Sequence, residues 1–372
     1  MHAVIGNLPR HYERLNLTPD VIQPWEDGLR TDPAQGTFEW WYCDAHLDDG
    51  STLTVEFHTK PPFVSPRAPL TPFVLLTLTR PDGSRTDKQY TGEPADFTAS
   101  REKCDVVIGP HTFRSGPDGY TLHVEIEDTV VDLTLTAQVP PWRPETGHAF
   151  FGADEEHYIA WLPVVAHGKV EATLTFDGAT QQLTGTGYHD HNWGNIAPRK
   201  VLDHWYWGRA RLGEYTVVTL MFASHERYDK AVLPAVLVAR SGRIIASAVG
   251  ADAVGFNEGE VFVHDDSKVQ VADRLEYRCA GDDSAYTITF QRDQDAFLLN
   301  FGTAGAYHRF LGEVTLQRAS TDGSEGGETV KGRTLWELLH FNSDTHPGTE
   351  VGPDGDPHDT GRVRIPVIGH QA

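Results

Sequence analysis

The chain has 372 residues, with 31 lysines and arginines against 53 aspartates and glutamates, a formal net charge of −22 at pH 7. This length exceeds what one hydrophobic core usually takes and suits two domains. So large a negative charge repels nucleic acid phosphates and anionic lipid surfaces, so neither is expected as a partner. The longest apolar stretches, such as residues 73–78, are too short to cross a membrane, and the N-terminus shows no secretory signal. We therefore expect a cytoplasmic protein without membrane insertion, whose oligomeric state the sequence does not specify.

A two-residue period of alternating side-chain character runs through most of the chain and is typical of β-strands. Strand-like segments rich in Val, Thr, Leu, Tyr and Phe lie at residues 52–58, 73–79, 120–127, 130–139, 170–176, 269–279 and 286–290. Asp-Gly pairs, whose glycine supplies the positive φ of tight hairpin turns, lie at residues 49–50, 82–83, 118–119 and 177–178. Hairpins in such close succession predict antiparallel meanders that close into barrels or sandwiches.

Signals for other kinds of structure are few. Residues 334–341 predict one short helix, and residues 295–300 fit either a helix or a strand. The polar segment 344–359, in which Gly and Pro recur, is expected to be flexible. The sequence thus predicts an all-β fold of two antiparallel β-barrel or sandwich domains packed together, with few short helices.

Two aromatic-rich segments resemble each other. Each begins with a polar residue and three aromatic residues and continues through a short turn into a second strand; the segments start at Glu39 and His204. Their spacing, 204 − 39 = 165 residues, is too long for a solenoid repeat and suits a duplicated domain. We therefore predict two similar β domains, residues 1–197 and 198–372. A chance likeness between aromatic-rich strands is the alternative.

The most concentrated group of reactive side chains is the segment 187–195, Gly-Tyr-His-Asp-His-Asn-Trp-Gly-Asn. Successive side chains of a strand point to opposite faces, which divides this segment into two sets. One set comprises Tyr188, Asp190 and Asn192; the other comprises His189, His191 and Trp193. We take Tyr188, His189, Asp190 and Asn192 as candidate catalytic residues. The alternative is that Asp190 and Asn192 only cap a loop between domains.

The chemistry of this segment depends on the protonation of Asp190. Burial raises the pKa of a carboxyl group, so Asp190 could act as an acid near neutral pH. A cationic His189 or His191 close by would oppose this effect and keep Asp190 ionised, as a base or an orienting group. An acid or base contributes about 10²–10⁴-fold to a rate, whereas holding a flexible substrate in a reactive conformation contributes about 7–11 kcal/mol.

Aromatic residues cluster in the same segments as the ionisable ones and suggest an apolar binding site. Candidate substrate-binding residues are Glu39, Trp41, Trp161, Trp193, Trp205, Trp207 and Arg209. The expected partner is a hydrophobic small molecule that contacts the tryptophan faces, with Arg209 anchoring a carbonyl or carboxylate. The alternatives are that the rings fill the core, that Glu39 is a buried hydrogen-bond acceptor and that Arg209 forms an ion pair.

The sequence gives little indication of a metal site or of disulfide bonds. The three cysteines, at positions 43, 104 and 279, are scattered and expected to be free thiols. His189 and His191 share a strand face and could bind a metal, with Asp44, His46, His58 or His204 completing the set. These further ligands show no recognisable spacing, so we do not expect a metal.

Several strings together resemble a known superfamily. They are Phe-Glu-Trp-Trp-Tyr at residues 38–42, Trp-Leu-Pro at 161–163, Gly-Tyr-His-Asp-His-Asn-Trp-Gly at 187–194 and Trp-Tyr-Trp-Gly at 205–208. The chain is similar over roughly residues 36–212 to the lipocalin-like carotenoid 1,2-hydratase (hydroxyneurosporene synthase) superfamily, which includes AttH-like proteins and the decalin-forming Diels-Alderases. The resemblance implies two lipocalin-like β domains, an apolar pocket between them, and chemistry without metal or redox cofactor.

The same resemblance suggests a function. In the hydratase branch it implies that Tyr188 and Asp190 assist protonation of a terminal alkene, but Ile159 stands where that branch is expected to have a histidine. The tryptophan strings look closer to the pericyclase branch. The leading hypothesis is therefore a cofactor-free cyclase or isomerase, Diels-Alderase-like, acting on a polyene, polyketide or terpenoid chain in specialised metabolism. Alternatives are a hydratase of a carotenoid or terpenoid alkene and a non-catalytic lipid or pigment carrier.

Overall fold

The structure is a computed structural model that describes residues 1–33, 36–62, 68–176, 178–320 and 327–342. The segment 344–359 predicted to be flexible lies outside the described residues, as does Asp177 of the last predicted Asp-Gly turn. In the described chain, no helix combines the length and the apolar character needed to cross a membrane.

Strands account for most of the described chain. They are β1 (His2–Ile5), β2 (Phe38–Leu47), β3 (Thr52–His58), β4 (Phe73–Thr79), β5 (Arg85–Thr91), β6 (Phe97–Ala99), β7 (Asp105–Ile108), β8 (His111–Gly116), β9 (Gly119–Ile126), β10 (Thr129–Ala137), β11 (His148–Gly152), β12 (His157–Phe176), β13 (Ala179–Gly194), β14 (Leu202–Leu212), β15 (Tyr215–Ser224), β16 (Val232–Arg240), β17 (Arg243–Val249), β18 (Val254–Val263), β19 (Gln270–Ala280), β20 (Ser284–Asn300), β21 (Gly305–Ser320) and β22 (Glu328–Phe341). One α-helix, α1 (Pro9–Leu15), and short 3-10 turns at Pro24–Asp27, Pro94–Asp96, Pro198–Lys200, Glu226–Tyr228 and Gly302–Ala304 complete the described elements.

The strands form two antiparallel sheets with related topology. The main path of the first sheet is β5-β4-β3-β2-β13-β12-β10-β9-β8-β7-β6, and the second sheet is β17-β16-β15-β14-β22-β21-β20-β19-β18. In each sheet a four-strand meander is joined through its first strand, β2 or β14, to a strand much later in the chain, β13 or β22. The two aromatic-rich segments are these first strands, so the internal similarity reflects equivalent places in two related sheets.

The described chain divides into two compact units. The motif unit comprises residues 16–143 and 159–197, and the C-terminal unit comprises residues 1–15, 144–158 and 198–342. These units differ from the predicted domains because two segments of the first predicted domain group with the C-terminal unit. Strand β1 pairs with β11, and the Phe151 ring of β11 packs 5.5 Å from the ring of Tyr228 in the C-terminal unit.

The all-β, two-sheet prediction is confirmed, with two local differences. The predicted helix at residues 334–341 is wrong, because this segment is part of β22 and pairs with both β14 and β21. Its side chains alternate between more and less buried positions, as they do in a strand between two neighbours. The ambiguous segment 295–300 is the end of strand β20. In the first segment pairing with the distant strand β14 overrides the local preference, and the second segment pairs with the next strand, β21.

Candidate active site around Asp190

Asp190 is the centre of a buried polar cluster on β13. Its side chain is 5% exposed. Its Oδ2 accepts hydrogen bonds from Trp161 Nε1 at 2.7 Å and Tyr188 Oη at 2.8 Å, and its Oδ1 accepts one from Asn192 Nδ2 at 2.7 Å. We call Trp161, Tyr188, Asp190 and Asn192 the Asp190 cluster. Three of its members follow from the alternation of β13, and the structure adds Trp161 from the neighbouring strand.

The backbone next to Asp190 is irregular. Strands β12 and β13 form a long hairpin in which Pro163 lies opposite Asp190, and the register shifts between Pro163 and Val165. Proline has no N–H to donate to the ladder, and bulges of this kind commonly redirect side chains near active sites. The irregularity lies within two residues of Trp161, which donates to the carboxylate. The local sequence of β12 thus contributes to the placement of the cluster.

Burial makes Asp190 a weak acid. Desolvation raises the pKa of Asp190 to about 7, although the donors Trp161 and Tyr188 and the nearby charge of His189 oppose the rise. A carboxyl group with this pKa is about half protonated at neutral pH. It can therefore either donate or accept a proton under cellular conditions, as a general acid–base group must.

Aromatic rings surround the Asp190 cluster. The indole of Trp142 meets that of Trp161 edge to face, with centroids 5.5 Å apart and planes at 84°. The ring of Tyr188 is fully buried and lies 6.2 Å from the ring of Tyr42 on β2. Aromatic rings therefore lie beside the carboxyl group, and one of them belongs to Trp142, which was not among the predicted residues.

His189 projects from the opposite face of β13, into the core of the motif unit. Its ring lies 4.6 Å from that of Phe113. Its Nδ1 is 2.8 Å from the Tyr42 carbonyl oxygen and its Nε2 is 3.2 Å from Asp27 Oδ2. Both neighbours are acceptors, so both ring nitrogens carry protons and the imidazole is a cation. Burial lowers the pKa of His189, but the Asp27 carboxylate more than compensates and the pKa is raised.

The remaining polar groups of this face form a second buried network. His191 Nε2 donates to Glu39 Oε1 at 2.8 Å, and its ring stacks on Trp41 with centroids 4.6 Å apart. Glu39 also accepts from the backbone N–H groups of Arg30 and Thr31 and from the Thr31 hydroxyl. Glu39 thus lies within the core as a fully engaged acceptor, on the face opposite Asp190.

The predicted site residues therefore form three groups. Tyr188, Asp190, Asn192 and Trp161 lie together in the Asp190 cluster. Glu39, Trp41, His189 and Trp193 lie on the other face, where the Trp193 ring is 4.7 Å from that of His191. Trp205, Trp207 and Arg209 alternate along β14 in the C-terminal unit, where Arg209 is buried and both tryptophans are half-buried. Their roles in binding a substrate remain predictions.

Three groups of side chains have metal-ligand types close together in the described part of the chain. They are Asp27, Cys104 and His189; Asp203, His204 and His340; and His264, Asp295 and His308. In the first group burial raises the pKa of the Cys104 thiol well above its usual value, whereas metals bind the thiolate. Asp27 already accepts from Tyr120 Oη at 2.8 Å as well as from His189. This group is best described as a buried ion pair.

Comparisons with known proteins agree with the motifs. A family model described as Diels-Alderase-like matches residues 122–335. The quinolone epoxide rearrangement protein penF of Penicillium thymicola is 26% identical over 278 residues, which cover 71% of this chain and 69% of that protein. The quinolone epoxide rearrangement protein asqO of Emericella nidulans is 39% identical over 210 residues, which cover 49% of this chain and 53% of that protein.

Among solved structures, the crystal structure of CghA has a TM-score of 0.60 at 18% identity, and the match covers 84% of this chain and 90% of that one. At this identity the likeness shows the fold. The family match covers more than half of the chain and includes the central motif. The resemblance inferred from the motifs is therefore confirmed. The chain belongs to the Diels-Alderase-like family.

Proposed function

We propose that this protein is a cofactor-independent cyclase or isomerase of specialised metabolism that binds an unsaturated hydrophobic chain and closes or rearranges a ring. Its family, and relatives named for the rearrangement of quinolone epoxides, support this class of reaction. The observation that carries the proposal is the buried Asp190 carboxyl group, surrounded by Trp161, Tyr188 and Asn192. These residues are its proposed polar contacts with the substrate.

In this proposal Asp190 acts through its protonated form. Oδ2 accepts from two donors, Trp161 and Tyr188, whereas Oδ1 accepts from Asn192 alone. The proton therefore resides on Oδ1 and is donated to an oxygen of the substrate, such as a carbonyl or an epoxide. A hydrogen bond at this position withdraws electron density and lowers the barrier to cyclisation or to C–O bond opening.

The aromatic neighbours supply the rest of the proposed catalysis. The faces of Trp142 and Trp161 would stabilise positive charge that develops on an unsaturated substrate. An apolar site would also hold the flexible chain in one reactive conformation, an effect that can reach about 7–11 kcal/mol. Substrate conformation should therefore contribute more to the rate than the single carboxyl group.

The test is to incubate the purified chain with a panel of linear polyenes, polyketides and terpenoid epoxides and to analyse the products by mass spectrometry. We expect a product of unchanged mass and altered retention. Asp190→Asn should lower the rate by about 10²–10⁴-fold while leaving activity above the uncatalysed background. Asp118→Asn, at an exposed hairpin turn, is the matched control. An Asp190→Asn protein with the wild-type rate would refute the proposed role of the carboxyl group.

Hydration is the second candidate function, because a half-protonated Asp190 next to Tyr188 could also protonate an alkene. The same assay in deuterated water separates the two reactions. Hydration gives a product heavier by one water with deuterium bound to carbon, whereas cyclisation adds no mass. Recovery of every bound compound unchanged, by wild type and Asp190→Asn alike, would indicate a carrier and contradict both proposals.

A further inference from the structure

The C-terminal unit contains a second cluster of ionisable side chains, to which the proposed function assigns no role. Asp203 and His204 lie at the start of β14, His340 lies near the end of β22, and Glu258 lies on β18. We call these four residues the Asp203 cluster. Their separation in the sequence hides the cluster, which forms because β14 pairs with β22 and the sheet curls to bring β18 within reach.

Strand pairing sets the positions of the two histidines. His204 and His340 are directly opposite in the β14–β22 ladder. Their rings are nearly parallel, with centroids 5.7 Å apart and planes at 8°. The register of β14 against β15 shifts between Leu202 and His204, so Asp203 is the extra residue of a bulge. Bulges redirect a side chain, and here the carboxylate of Asp203 turns toward the two imidazoles.

The distances place three ligand atoms around one point. Asp203 Oδ2 is 2.8 Å from His204 Nδ1 and 3.9 Å from His340 Nε2. The ligand atoms of a four-coordinate zinc ion lie about 3–3.5 Å apart. An ion bound here would replace the proton between Asp203 and His204, and these two distances would each change by about half an ångström.

Glu258 supplies the partner that a metal-binding histidine usually has. Its Oε1 is 3.3 Å from His204 Nε2, on the side of the ring opposite Asp203. Metal-bound histidines commonly donate their second N–H to a carboxylate, which fixes the tautomer and the ring orientation. With the proton on Nε2, beside Glu258, the lone pair of His204 Nδ1 would be left for a metal ion.

Solvent access distinguishes this cluster from the others. The side chains of His204, His340 and Asp203 are 15%, 13% and 38% exposed. An ion can therefore enter, and water can complete its coordination. In contrast, the side chains of His264 and His308 are 9% and 0% exposed, and those of His189 and Asp27 are 0% and 5% exposed.

We propose that Asp203, His204 and His340 bind a divalent transition-metal ion, with Glu258 orienting His204. Two imidazoles and one carboxylate suit Zn²⁺ and Co²⁺, and three protein ligands leave a position for water or another ligand. The ion would join the adjacent ends of β14 and β22. This inference concerns binding alone and does not depend on the proposed function.

The experiment uses the full chain after treatment with a chelator that is then removed. Zn²⁺ is titrated by calorimetry, and Co²⁺ by visible absorption, which reports imidazole and carboxylate coordination. We expect one ion per chain. His340→Ala and Asp203→Asn should each weaken Zn²⁺ binding by about 100-fold or more because each removes a ligand, and Glu258→Gln should weaken it by about 10–100-fold.

His123→Ala is the matched control. His123 Nδ1 lies 2.7 Å from Asp132 Oδ1, so this exposed pair offers a histidine and a carboxylate without belonging to the cluster. The control should bind Zn²⁺ as the wild type does. If His340→Ala does not fold, Asp203→Asn, at the more exposed position, provides the test. Absence of stoichiometric binding, or equal affinity in wild type and Asp203→Asn, would overturn the proposal and leave His204 as a protonated partner of two carboxylates.

Discussion

Replacing Asp190 by asparagine should change the pH dependence of stability in a way that requires no knowledge of the substrate. Burial raises the pKa of Asp190 from 3.8 to about 7. Below about pH 4 the carboxyl group is neutral in both the folded and the unfolded chain. As the pH rises from about 4 to 7, the unfolded chain ionises while the folded one stays protonated, so the wild type loses stability. Above pH 7 both states are ionised and the loss is complete.

The size of the effect follows from the pKa. Each pH unit between the unfolded and folded pKa values corresponds to about 1.4 kcal/mol, and the interval gives a total of about 4 kcal/mol. An asparagine side chain does not ionise, so the Asp190→Asn variant should gain about 4 kcal/mol relative to the wild type between pH 4 and 8. Urea unfolding of both proteins across this range measures the difference, and Asp118→Asn is the control.

If the difference in unfolding free energy between Asp190→Asn and the wild type does not vary with pH, the account of Asp190 as a desolvated, weakly acidic carboxyl group is refuted. A difference that falls as the pH rises would have the same consequence, because it would mean that the donors around Asp190 stabilise the anion more than burial destabilises it. Asp118→Asn, at an exposed position of a hairpin turn, controls for the loss of one carboxylate from the chain.

Three further substitutions test the surroundings of the motif. Trp161→Phe removes the 2.7 Å donor to Asp190 and should raise the pKa of Asp190 by about one unit. In the Trp161→Phe background, the gain in unfolding free energy caused by Asp190→Asn should then level off at a higher pH. A gain that levels off at the same pH as before would count against the hydrogen bond. His189→Gln should destabilise the fold by about 3–5 kcal/mol, because the buried Asp27 carboxylate loses the histidine cation 3.2 Å from its Oδ2 and keeps only the more distant imidazole of His191, 3.7 Å from its Oδ1. His123→Gln, at an exposed pair, should lose under about 1 kcal/mol. Equal losses in urea unfolding would contradict the buried cation. Gly187→Ala would place a methyl carbon 2.7 Å from the Asp44 carbonyl oxygen and should reduce the unfolding free energy by about 1–3 kcal/mol. Gly255→Ala is the control and should not cause this loss, because the nearest atom to its methyl carbon would be 3.6 Å away.

Local patterns in the sequence were sufficient to predict several of the strands. Strands β3 and β4 have the predicted limits because an Asp-Gly turn and a clear alternation define each. The same alternation correctly separated Tyr188, Asp190 and Asn192 from His189 and its neighbours, since only a strand direction is needed for that inference.

Contacts between distant segments were not predictable in the same way. Asp27 is 162 residues from His189, its partner, and it lies in a short 3-10 turn with no recognisable motif. The helix predicted at residues 334–341 failed for a related reason, since its conformation is set by pairing with β14 and β21. The Asp203 cluster also depends on this pairing, and the spacing of its residues in the sequence gives no indication of it.

The most direct test of the central claim is a crystal structure of the chain soaked with a mixture of linear polyenes. The account predicts ordered ligand density in contact with the indole of Trp161 and within hydrogen-bond distance of Asp190 Oδ1. Ligand density only against the opposite face of β13, beside Trp41 and His189, would contradict this prediction. Crystals that take up no polyene, with Asp190 still enclosed by protein side chains, would contradict it as well.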